Sequence, residues 1–69
     1  MIDEFIPQIE QLQAAGAIVL LKWDGERQSN RITVVVTRQA TGYVWRKDSD
    51  NLSLTLQEAL HEYKAKHAH

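Results

Sequence analysis

Residues 31–38 read Arg-Ile-Thr-Val-Val-Val-Thr-Arg, and all six residues between the two arginines are branched at Cβ. Branching there restricts χ1 and suits a pleated surface better than a helix, so this segment is a strand. A strand needs a partner, and the sequence offers few. Residues 17–23 (Ala-Ile-Val-Leu-Leu-Lys-Trp) form a short, nearly continuous apolar run directly after Gly16, of strand length and not helix length. Asp24-Gly25 is a turn signal, yet a tight two-residue hairpin there would pair the apolar run with the polar residues 26–30. A longer loop over 24–30 lets the run pair with 31–38 instead. Gln39-Ala40-Thr41-Gly42 then reads as a short hairpin connection, with Gly42 available for a positive φ, and residues 43–47 (Tyr-Val-Trp-Arg-Lys) as the third strand.

Helical spacing frames these strands on both sides. Ile2, Phe5, Ile6, Ile9 and Leu12 recur at three- and four-residue steps, which gathers them on one helix face. Pro7 falls near the first turn, where a missing N–H costs little, and Gly16 suits a left-handed C′ position, so this helix ends at about Ala15. Near the other end, Thr55-x-x-Glu58 has the pattern of a capping box opening a helix, followed by an apolar stripe of Leu56, Ala59, Leu60 and Tyr63. Lys64, Lys66 and His67 sit favourably at the negative end of its dipole. Leu52, Leu54 and Leu56 also alternate with Ser53 and Thr55, which would suit a short fourth strand near 52–55. The favoured expectation has Leu52 and Leu54 as an extended lead-in to the helix. The fold class is therefore α+β: a two-layer αβββα domain over residues 1–69, with a three-stranded antiparallel sheet and both helices on one face.

A chain of 69 residues buries only about 60% of the surface its unfolded form exposes, so its margin of stability is thin. There is no cysteine to staple it or to bind a metal through thiolate. No stretch approaches the ~20 apolar residues of a membrane span. The acidic start Met1-Ile2-Asp3-Glu4 lacks the basic region of a signal peptide. These features lead to the expectation of a soluble, cytoplasmic protein. The net charge of −1 conceals a segregation: residues 27–47 hold five cations (Arg27, Arg31, Arg38, Arg46, Lys47) and no acid, while both flanks are net acidic.

The sheet's second face is the most informative part of the sequence. Each helix has one apolar stripe, so a two-layer domain covers one sheet face, and the other should be polar in alternation. The sequence does not comply. With Ile32, Val34 and Val36 toward the helices, Arg31, Thr33, Val35 and Thr37 face away. The first strand is apolar at both parities, Val19, Leu21 and Trp23 against Ile18, Leu20 and Lys22. If Tyr43 and Trp45 pack inward, as so small a core favours, Ile18, Leu20, Val35 and Val44 remain outside; if they point outward, that face is an aromatic surface beside Lys47 and Arg31. Exposed aliphatic patches of this kind mark interaction sites. The expected interaction surface is Leu20, Lys22, Arg31, Thr33, Val35, Thr37, Val44 and Arg46, with a protein partner or a second copy of the chain as its occupant. The bland alternative is that loop 24–30 or the C-terminal tail folds over the patch.

Other constellations carry weaker signals. Arg31, Arg38, Tyr43, Trp45, Arg46 and Lys47 combine cations with rings, the footprint of a nucleic-acid binder, although a pI near 6.3 is far from that of strongly basic domains. The order αβββα resembles that of the double-stranded-RNA-binding domain. That family carries a lysine-rich cluster at the start of its last helix, where this chain has Gln57 and Glu58, and a Gly-Pro loop that residues 24–30 do not match. His61, His67 and His69 lack the i,i+3 or i,i+4 spacing of helical metal ligands, and a frayed, solvated C-terminus accounts for them. The acidic turn at Asp48 and Asp50 lacks the ligand count of a calcium loop. No nucleophile with a base and no paired carboxylates emerge, so the expectation is a non-enzymatic protein with no catalytic residues, no cofactor, no metal and no small-molecule substrate.

Overall fold

The computed structural model describes residues 2–67. A 3₁₀ turn over Ile2–Glu4 leads into helix α1 (Ile6–Ala14), with Pro7 in its first turn. The helix closes on a Schellman motif: the N–H of Ala17 reaches Leu12 O at 2.9 Å and that of Gly16 reaches Gln13 O at 3.0 Å. Gly16 supplies the left-handed residue this motif requires, at φ 92°, and the flanking pair Leu12 and Ala17 are both buried. The chain then enters strand β1 (Ile18–Trp23) with its backbone direction already set.

Strands β1, β2 (Ile32–Arg38) and β3 (Tyr43–Ser49) form one antiparallel sheet in the order β1-β2-β3. The long connection over 24–30 is as the sequence implies, and it sets Trp23 opposite Ile32 and Ile18 opposite Thr37. Asp24 N–H closes the loop on Arg31 O at 2.7 Å. The β2–β3 connection is a 3₁₀ turn over Gln39–Thr41, and Gly42 takes the expected positive φ of 67°. β3 continues two residues beyond the expected Lys47, to Ser49.

Helix α2 (Leu52–His67) starts earlier than the capping-box pattern implies. Asn51 is the cap: its Oδ1 accepts a 3.1 Å hydrogen bond from Leu54 N–H. Thr55 lies inside the helix, with both its N–H and its hydroxyl bonded to Asn51 O. The extended lead-in and the fourth strand near 52–55 therefore give way to a helical first turn. The physical reason is that helical spacing places Leu52 with Leu56, Ala59, Leu60 and Tyr63 on the core side, while Leu54 turns outward.

The core gathers Phe5 and Leu12 from the N-terminal segment, Val34 and Val36 from β2, and Leu56, Ala59, Leu60 and Tyr63 from α2. Val19, Leu21, Tyr43 and Trp45 pack against it, so the two aromatic residues of β3 take the inward parity that a small core favours. Burying each large aliphatic side chain here contributes about 1.5–3 kcal/mol. Among the described residues, no helix is long and apolar enough to cross a membrane.

Candidate functional site

The register divides the sheet's outer face into three rows, each crossing all three strands. Lys22, Thr33 and Asp48 form the first, Leu20, Val35 and Arg46 the second, and Ile18, Thr37 and Val44 the third. The rows differ in chemistry, and the difference is abrupt.

The first row is closed. Thr33 is only 4% exposed, because the side chains around it form a polar lid. Its hydroxyl donates a 2.6 Å hydrogen bond to Asp48 Oδ1. Arg27, reaching back from loop 24–30, places Nη1 3.3 Å from Asp48 Oδ2 and Nε 3.2 Å from Asp24 Oδ2. Arg46 approaches Asp48 at 3.5 Å and Lys22 approaches Asp24 at 3.9 Å. The Thr33 hydrogen bond, with Arg46 and Arg27 nearby, holds the Asp48 carboxyl below its usual range. Asp24 is lowered chiefly by the Glu26 N–H it accepts. Asp50 is lowered by the backbone N–H groups of Arg31 and Asn30, and it ties the end of the loop to the turn before α2.

The other two rows are open. Ile18 is 59% exposed, Leu20 58% and Val44 73%, with Val35 and Thr37 half-buried between them. Loop 24–30 therefore covers one end of the outer face and leaves the aliphatic end bare. Of the eight residues expected to form an interaction surface, seven (Leu20, Lys22, Thr33, Val35, Thr37, Val44, Arg46) lie on this face. Thr33 belongs to the closed end. Arg31 stands just before β2, where its Nε is 3.4 Å from Asp24 O and its N–H is bonded to Asp50. Ile18, outside the expected set of eight, completes the open patch.

The six residues with a nucleic-acid footprint do not gather on one surface, although Arg38 and Tyr43 are direct cross-strand partners. Arg46 projects outward and is drawn to Asp48. Alternation sends Tyr43, Trp45 and Lys47 to the helix side. There Lys47 pairs with Glu58 at 2.7 Å, and Tyr43 packs edge-on against Tyr63 at 5.6 Å. Arg31 and Arg38 stand at opposite ends of β2. The segregated charge of the sequence is largely closed within the fold, since Arg27, Arg46 and Lys47 all meet acids from neighbouring elements.

Two residues carry more than the sequence reveals. Arg27 organises the closed row, and its only sequence signal is being the sole cation in loop 24–30. His67 is not a frayed, solvated end: its ring stacks on Tyr63 at 4.1 Å and meets Tyr43 edge-on at 5.0 Å. Its Nδ1 lies 2.9 Å from Tyr63 O. A carbonyl only accepts, so Nδ1 carries the proton and Nε2 accepts from the Thr41 hydroxyl at 3.0 Å. His61 is exposed on α2, and His69 lies outside the described residues. Among the described residues, no three His, Cys, Asp or Glu side chains are grouped so as to hold a metal ion. Comparisons with protein-family models, with curated proteins and with solved structures find no match to this chain.

Proposed function

We propose that this is a non-enzymatic, cytoplasmic protein-binding module whose contact surface is the open, aliphatic end of the outer sheet face. The observation that carries this reading is the adjacency of Ile18, Leu20 and Val44, each more than half exposed, around the half-buried Val35. The same face shows that the chain has the means to cover such a surface, because loop 24–30 seals the Thr33 end with a charged lid. Leaving three large aliphatic side chains uncovered beside that lid is the mark of a surface that meets a partner.

A second copy of the chain is the simplest occupant. A two-fold contact sets the patch against itself, aliphatic on aliphatic, and its nearest charge, Arg46, is already directed toward Asp48. Stable interfaces bury about 800 Å² per partner. Four aliphatic side chains make a small centre for that area, so the contact extends to the rim residues Lys22, Thr37 and Arg46.

The test is native mass by light scattering coupled to size exclusion, over a wide range of protein concentration. A species near twice the 7.9 kDa chain mass that reverts to monomer in Leu20→Lys and in Val35→Lys supports self-association through this face. A wild-type monomer at every concentration removes the second copy as occupant and makes a different protein the partner to be sought. If both variants leave native mass and partner capture untouched, the proposal fails.

A further inference from the structure

The structure also points to a site on the helix side of the sheet, where β2, the 39–41 turn and the end of α2 converge. A recess of about 370 Å³ is lined there by Arg38, Thr41, Tyr43, Lys66 and His67. Two of its five lining residues are cationic and none is acidic. Glu62 lines the adjoining recess, which shares Thr41, Tyr43 and Lys66 with this one.

The hydrogen-bond accounting of this corner is uneven. Arg38 Nε is buried without an acceptor, and the hydroxyls of Tyr43 and Tyr63 are buried without partners as well. Buried polar groups are nearly always satisfied, and a charged donor left unmet is the most costly case. Arg27, Arg46 and Lys47 each meet a carboxylate, whereas Arg38 has no ion pair among the described residues. Its charge is held at the mouth of a concavity that also contains an ammonium, a hydroxyl and an imidazole. The His67 ring is fixed by stacking on Tyr63 and by its bond to the Tyr63 carbonyl, which leaves Nε2 on the Thr41 side.

We propose that this recess binds a small tetrahedral oxyanion, a phosphate group either free or carried by a small phosphomonoester, with Arg38 and Lys66 as its cationic ligands. A guanidinium matches such an anion through two parallel N–H bonds, and the anion supplies the acceptor that Arg38 lacks. Only a reorientation of the Arg38 head group is needed, because β2 and α2 fix both sides of the recess. The site stands apart from the outer-face patch and does not depend on it.

The experiment is a titration of the ¹⁵N-labelled protein with inorganic phosphate, chloride holding the ionic strength constant, read by amide and arginine Nε–H shifts. Saturable shifts are expected at Arg38 Nε–H, Thr41 and Gly42, with at least a tenfold loss of affinity in Arg38→Gln and in Lys66→Gln. Lys66 is exposed in the last turn of α2, so its variant tests the site even if Arg38→Gln disturbs the sheet. A parallel titration with glycerol phosphate separates the sources: tighter binding of the ester assigns the recess to a phosphomonoester, and exclusion of the ester assigns it to the free anion. Shifts that grow linearly with phosphate, or that persist unchanged in Lys66→Gln, would overturn the proposal.

Discussion

Thr33 and Asp48 are direct cross-strand neighbours on β2 and β3, joined by a 2.6 Å hydrogen bond, and the outer face changes character at this pair. On one side, Arg27, Asp24 and Lys22 complete a charged lid. On the other, Leu20, Val35, Ile18 and Val44 remain open. One side-chain hydrogen bond, backed by one arginine from a loop, thus sets the boundary of the candidate contact surface.

Thr33→Val should lower the urea midpoint at neutral pH while leaving the fold intact, since valine fills nearly the same volume. The effect should depend on pH with a defined sign. Asp48 has a folded pKa below its ordinary value of 3.8, with the Thr33 hydrogen bond as the largest cause. A depressed carboxylate adds stability that is fully present above its unfolded pKa and is lost as pH falls through the folded one. The gap between wild type and variant is therefore widest above pH 3.8 and narrows below it. Urea unfolding followed by tryptophan fluorescence at several pH values measures this. A gap of constant size would mean that Thr33 acts through packing instead.

Size of side chain should not predict the cost of its removal. Leu20 and Leu56 are both leucines, but Leu20 is 58% exposed and Leu56 1%. Leu56→Ala should cost about 2–5 kcal/mol, which in a domain of this size is enough to populate the unfolded state at room temperature. Leu20→Ser should stay within about 0.5 kcal/mol under conditions where the chain is monomeric. Circular dichroism during thermal unfolding distinguishes them. A large loss of monomer stability in Leu20→Ser would show that the outer face is structural and not reserved for a partner.

Much of the fold was legible because the strongest signals were local and mutually consistent. The β-branched run in β2 had a strand-like partner on each side, residues 17–23 and 43–47, and the polar character of 26–30 excluded the tight hairpin. Gly16 and Gly42 announced their left-handed positions because other residues pay a steric cost there. The start of α2 was harder, since Asn51 and Thr55 are both good caps and the choice between them rests on burying Leu52, a tertiary fact. The open patch was legible as an excess of aliphatic residues over available helix surface. Its boundary was not, because Arg27 reaches Asp48 across 21 positions of sequence, and composition cannot place that contact. His67 was misread for the same reason: its partners Tyr43 and Thr41 lie on another element.

The two competing starts of α2 separate experimentally. Asn51→Ala removes the side-chain acceptor for Leu54 N–H and should cost about 1 kcal/mol, as the loss of an N-cap does. Glu58→Ala removes a half-exposed ion pair with Lys47, so its cost should stay below about 1 kcal/mol and shrink further with added salt. Chemical denaturation at low and high salt gives both numbers. A salt-insensitive loss at Glu58 exceeding that at Asn51 would restore the capping-box start.

Gly16 and Gly25 provide a matched pair for the cost of backbone conformation alone. A Cβ built at either position meets nothing within 4 Å, so neither substitution creates a clash with the rest of the protein. Gly16 sits at φ 92° as the left-handed residue that closes α1, where a side chain crowds its own carbonyl at a cost of roughly 1–2 kcal/mol. Gly25 has no such positive φ, and alanine there restricts the unfolded chain, which should stabilise the protein by about 0.4–1 kcal/mol. Gly16→Ala should therefore lower the thermal midpoint and Gly25→Ala hold or raise it. If both fall together, loop 24–30 depends on the freedom of Gly25, and the lid that Arg27 forms over Thr33 is more easily lost than its ion pairs imply.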